Sequence, residues 1–209
     1  MDSSFTKNAL WLMGILGAIC LLLYLFVFDT WVVPIGEPAV TAAIAPTLTP
    51  DDRILTRRGS TPKLGELARC IVPDGSGKYV IGRVFGTAGD SVVIENERVA
   101  TNGKAPATRF SCGTMSVVHP VSGDAVPLVC SVEDNGSSTY SVLAHPEYRE
   151  GQRSAKVEPG KAFIVSDNRH IHQDSRDFGQ VDASTCEHVV FRLWGATFGD
   201  ASHRFNILW

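Results

Sequence analysis

The chain has 209 residues, room for one full-sized domain plus an added segment, or for two small domains. Its 19 Lys and Arg against 22 Asp and Glu give a formal net charge of -3. That lacks the basic excess a general nucleic-acid binder uses to displace counterions from phosphates, so no nucleic-acid partner is expected.

The first element is read from Ala9 to Phe28, ALWLMGILGAICLLLYLFVF, twenty residues without a charge. At 1.5 Å rise per residue such a helix is about 30 Å long, the thickness of a bilayer's hydrocarbon core. A buried core helix would show a polar stripe, and this run has none. Trp11, Tyr24 and Trp31 lie near its ends, where interface anchors belong. A cleavable leader would have a shorter apolar core and a small-x-small site, which Asp29-Thr30-Trp31-Val32 does not offer. Cys20 lies inside the run after Ile19, a poor lipoprotein site. The expected organisation is a head over 1–8, a single-pass anchor over 9–28 in the lipid bilayer, and a domain over 35–209 on the extracytoplasmic side. Lys7 is offset by Asp2, so charge does little to set the orientation.

After Pro34 the chain reads as short strands divided by turn residues, residues 41–48 included. Asp52 to Arg57 and Tyr79 to Phe85 are rich in β-formers. Gly65 to Ala68 reads as a turn. Ser91 to Ile94 and Glu97 to Ala100 read as hairpin arms around Glu95-Asn96, and Thr101-Asn102-Gly103-Lys104 as a tight turn. Further β-formers fill the stretch from Ser111 to Tyr148, then Phe163 to Val165 and His188 to Trp194. No amphipathic helix longer than about two turns is evident outside the anchor. The fold class is thus a transmembrane helix plus a mostly-β domain of antiparallel sheets.

Of five cysteines, Cys20 falls in the anchor. A bridge between Cys112 and Cys130 would close a short loop, and Cys70 with Cys186 is a second candidate pair. Outside the cytoplasm such bridges persist, but cysteine identity leaves the connectivity open. No two cysteines are spaced as a metal knuckle, and no metal or other cofactor is expected.

Four stretches, in order, resemble the boxes of type I signal peptidases, the S26 family of membrane-bound serine endopeptidases. They are Thr41 to Leu48 (TAAIAPTL), Arg83 to Asp90 (RVFGTAGD), Val99 to Gly103 (VATNG) and Ser166 to Gly179 (SDNRHIHQDSRDFG). The last is the most specific. The family pattern there is Gly-Asp-Asn-Arg, two variable residues, Ser, one variable residue, Asp-Ser-Arg, two variable residues, Gly. Asp167, Asn168, Arg169, Asp174, Ser175, Arg176 and Gly179 all match it. Arg204 to Leu208 is similar to the terminal strand of the longer, Gram-negative-type enzymes. The resemblance implies a bacterial inner-membrane protein with its domain in the periplasm, of a kind that cuts signal peptides from exported precursors.

In that family a serine attacks and a lysine is its base. A serine hydroxyl needs a base within hydrogen-bond reach, and a lysine serves only where apolar surroundings leave it neutral. Pro46-Thr47 sets the register of the first box and puts Ala43 at the nucleophile position. Arg83 sets that of the second and puts Gly82 at the general-base position. The serine that orients the lysine falls on His172, and the first glycine of the last box on Ser166. Thr41, two residues before Ala43, matches the family's hydroxyl donor to the oxyanion, although a bond from it to the backbone is the plainer reading. Asp174 and Arg176 match its internal ion pair. Lys78 is no substitute base, being about 13 Å from Gly82 along an extended chain. An engineered Ser→Ala trap would explain Ala43, but not Gly82, Ser166 and His172 together.

The expected function is therefore a catalytically degenerate signal-peptidase-like membrane protein that binds exported precursor peptides or serves as an accessory subunit of a membrane complex. The alternatives are an active signal peptidase, or an inactivated form of one, and an anchored structural protein with no groove.

Overall fold

The computed structural model describes residues 3–61, 63–149 and 151–208. Helix α1 (Ser3–Phe26) is apolar on all sides beyond Asn8, and none of its span over Thr6–Phe26 is buried against the rest of the protein. It starts inside the expected head and stops short of Phe28, which instead opens strand β1 (Phe28–Val32). The cause is pairing. β1 lies antiparallel to β2 (Arg53–Arg57) with Phe28 opposite Arg57, and the ladder claims the backbone that a longer helix would use.

Helix α2 (Pro38–Ile44) follows, and corrects the extended reading of the first box. Proline at the first turn presets φ, and the alanines of PAVTAAI favour helix. Ala45, which precedes Pro46, is extended with ψ 143°, as a residue before proline must be, so the helix ends there.

The main sheet takes β1, β2, then β3 (Leu67–Ile71), β4 (Tyr79–Thr87), β11 (Lys161–Val165), β12 (Val181–Asp182), β13 (Glu187–Trp194) and β14 (Asn206–Ile207). Its order is β1-β2-β13-β3-β4-β11-β12, with β14 on β13, and every pairing is antiparallel. Leu67 and Ala68 belong to β3, so only the start of the expected turn at Gly65 is one. A small sheet joins β5 (Ser91–Glu95), β6 (Arg98–Thr101) and β10 (Arg153–Lys156); a third joins β7 (Ala107–Val118), β8 (Ala125–Asp134) and β9 (Thr139–Ala144). The β5–β6 turn sits one residue later than the sequence implied, at Asn96 (φ 48°) and Glu97 (φ 64°). Asn102 (φ 51°) and Gly103 (φ 79°) make the next turn as expected.

Two apolar layers flank β4. Ala68, Cys70, Val80, Val84 and Ile164 pack on one face, and Leu67 and Ile81 meet Ile44, Leu48 and Val33 on the other. Disulfides join Cys70 to Cys186 and Cys112 to Cys130. The last box spans 166–179 as a loop ending in the one-turn helix α3 (Ser175–Phe178).

Candidate active site

The last box is wedged between α2 and β9. Asn168 donates its backbone N–H to the Ala43 carbonyl and its side-chain amide to the Ala42 carbonyl, both at 2.9 Å. Its Oδ1 accepts from the N–H groups of His170 and Ile171. These bonds satisfy carbonyls that the end of a helix leaves without partners. On the other side Leu143 of β9 donates to the Asp167 carbonyl, and Arg169 donates to the Leu143 carbonyl.

Beneath this wedge lies a buried ion pair, Arg83 Nε to Asp167 Oδ1 at 2.8 Å, with both side chains almost wholly out of solvent. Thr47 donates its hydroxyl to the second Asp167 oxygen, Arg83 also donates to the Gly65 carbonyl, and the guanidinium lies over the Tyr140 ring. A buried charge is tolerated when paired and hydrogen-bonded in this way. Burial in turn drives the Tyr140 hydroxyl well above the ordinary phenol range. The sequence singled out neither Thr47 nor Asp167 for this role. Arginine and aspartate in two matching boxes were the signal available.

Asp174 caps α3 by accepting from the Arg176 N–H, and its carboxylate pairs with the Arg176 guanidinium at 2.8 Å. It also accepts from the Ser166 N–H at 2.7 Å. Burial alone would raise its pKa. The Arg176 charge and hydrogen bond, with the backbone donors, outweigh that and hold the carboxyl below the ordinary range. Ser166 is fully buried, and its hydroxyl accepts from the Gln173 N–H. His172 is partly exposed and bonds Asp177 through Nδ1 at 2.8 Å. His172, Asp174 and Asp177 bring ligand atoms within 4.8 Å of one another, but a dication there would meet the Arg176 guanidinium already seated on Asp174. The three side chains are explained by the cap and the ion pair.

The two positions that the boxes give to the reacting groups look different. Ala43 lies near the end of α2 and is 2% exposed. The Thr41 hydroxyl donates to the Pro38 carbonyl at 3.1 Å, within its own helix. Gly82 lies on β4 opposite Ala68 of β3. A β-carbon built on Gly82 would stand 2.9 Å from the Val165 carbonyl oxygen and 3.1 Å from its carbonyl carbon. That obstruction is backbone, fixed by the β4–β11 ladder, in which Arg83 faces Val165. The register shift between Phe163 and Ile164 adjoins it. Lys78 lies just before β4, with the length of an extended segment between it and Gly82.

This fold and these boxes have clear relatives. The pattern of the family described as "Signal peptidase, peptidase S26" matches residues 6–194, and the chain belongs to that family. Signal peptidase IB of Staphylococcus aureus is 29% identical over 127 residues, which is 60% of this chain and 58% of that protein. The protein of the same name from strain COL gives the same figures. The match thus spans little more than half the length of these relatives. An apolar N-terminal helix in a signal peptidase family member makes this a membrane-anchored protein.

Proposed function

We propose that this chain is a non-cleaving member of the signal peptidase family, anchored in a bacterial inner membrane with its domain on the periplasmic side. There it would hold an extended segment of an exported precursor or serve as an accessory subunit of a membrane complex. The observation that carries the reading is the closure over Gly82. A general base must reach within about 3 Å of the hydroxyl it activates. A lysine at this position could not place even its first carbon without displacing the Val165 backbone. Burial of Ala43 supports the same reading, since a nucleophile has to be reachable by a scissile carbonyl. An extended polypeptide remains a fitting ligand, because strand addition relies on backbone hydrogen bonds and needs no catalytic group.

The test is cleavage of an exported precursor by the purified full-length protein in detergent, alongside Ala43→Ser, Gly82→Lys and the double variant. No cleavage is expected from any of the four. Turnover by the unmodified protein that is lost on substituting one of its own residues would overturn the proposal. Material copurifying from detergent-solubilised membranes then separates the two roles: a stoichiometric protein marks a subunit, and captured precursors mark peptide binding.

A further inference from the structure

The two disulfides sit in opposite surroundings. Cys70 and Cys186 lie in the apolar layer beside β4, 0% and 2% exposed. Cys130 is 6% exposed, but its partner Cys112 stands in the open on β7. Thiol–disulfide exchange requires a thiolate to reach a sulfur, so access separates the two bonds. Cys20 is the free thiol and lies in the anchor helix.

Cys112 also stands where its ladder is broken. The register steps from Ser111 opposite Ser131 to Gly113 opposite Cys130, which leaves Cys112 without a facing residue. Gly113 follows at φ 96°, a backbone suited to glycine at such a bulge. The Ser111 hydroxyl fills part of the gap, accepting the Gly113 N–H at 3.2 Å and donating to the Cys130 carbonyl at 3.3 Å. β7 is an edge strand, exposed along most of its length, and β8 is its one strand neighbour among the described residues. At the bulge, then, the covalent bond is the firmest link between β7 and the rest of the domain. The position of β7 bears on the site. Met115 to Val118 line a cavity of about 410 Å³ opposite Thr41 and Ala42 of α2. Cys130 itself packs with Leu128 and Leu143 against Ala45, just beyond α2.

We propose that Cys112–Cys130 is a redox-sensitive clasp. A dithiol reductant opens it while Cys70–Cys186 stays closed, and the opening loosens β7 beside α2. One thiolate of the dithiol attacks the Cys112 sulfur, and Cys130 leaves as a thiolate that takes up a proton. The second thiol of the reductant then displaces Cys112 from the mixed disulfide. Two electrons and two protons pass to the cysteines, and the dithiol becomes a disulfide. The clasp is independent of cleavage or its loss, because no group in the exchange is one of the residues at the candidate site.

The test is mild reduction of the full-length protein in detergent by dithiothreitol, after Cys20 has been blocked. Released thiols are alkylated and located by mass spectrometry. Cys112 and Cys130 should be released together, with Cys70 and Cys186 still joined. Amide hydrogen exchange of the same sample should then be about tenfold faster from Phe110 to Thr114 and unchanged along β4. A double variant, Cys112→Ser with Cys130→Ser, should show the faster exchange without reductant. Release of Cys70 and Cys186 first, or of all four at one rate, would overturn the clasp. So would β7 exchange that reduction leaves unaltered, or an equal rise along β4. Should the double variant fail to fold, the reduced unmodified protein decides on every count.

Discussion

The polar frame around the candidate site contrasts with Ala43 and Gly82, the two positions that the resemblance gives to the reacting groups. In the frame, Arg83, Asp167, Asn168, Asp174 and Arg176 are buried or nearly so, and each carries hydrogen bonds or ion pairs to its neighbours. At the two positions that the resemblance gives to the reacting groups stand a methyl group on Ala43 and a hydrogen on Gly82, both packed over. The difference shows that the frame has its own reason to exist. It docks α2, the last box and β9 against one another, and a fold that depends on this docking keeps those residues whether or not a peptide bond is cut.

The comparison can be broken most forcefully by removing one half of the Arg83–Asp167 pair. Asp167→Ala leaves a buried guanidinium without its carboxylate and should cost about 3–5 kcal/mol, read by chemical denaturation. A loss below about 1 kcal/mol would mean that the frame is not what holds the fold.

Acid attacks the same frame at Asp174. Its pKa is lower in the folded than in the unfolded chain. Folding therefore gains from Asp174 above the unfolded carboxylate value near 3.9, and loses that gain as pH falls through the lower folded value. Unfolding followed between about pH 4 and pH 2 should be shifted toward neutral pH in Arg176→Met, which removes the main cause of the depression. Superimposable acid transitions would count against this role for the pair.

A smaller effect is expected at Gly82. Gly82→Ala forces a methyl against the Val165 backbone and should destabilise by about 1–3 kcal/mol, the usual range for overpacking. A neutral or stabilising result would show that the ladder opens readily and that a larger side chain could be housed there. The least effect belongs to Ala43→Ser, expected within about 1 kcal/mol in thermal or chemical melts because the added oxygen can bond back to its own helix. A large loss of stability would reveal tighter packing around α2 than its buried methyl implies.

Much of this is legible in the sequence. The spacing of Asp167, Asn168, Arg169, Asp174, Ser175 and Arg176 identified the last box, and the apolar run identified the anchor. Both signals are local, carried by residues close together in the chain. The helix at residues 38–44 went unread although its markers were there, a proline at the start, alanines within, and a proline just beyond. The closure over Gly82 depends on which residue of β11 lies opposite β4, and hence on a register shift between strands that are distant in sequence. The cysteine pairs could be proposed but not connected until the strands carrying them were placed.

The join between helix α1 and the domain is short and bonded. Helix α1 gives way to β1 without a linker. The Arg58 backbone N–H reaches the Val27 carbonyl, its guanidinium reaches the Leu25 carbonyl at 2.9 Å, and the same group pairs with Asp29 at 3.1 Å. Arg58 thereby ties the end of the helix to the first strands of the domain. With the helix in a bilayer, the first strand of the domain therefore starts at the end of the span and not at the end of a loose tether.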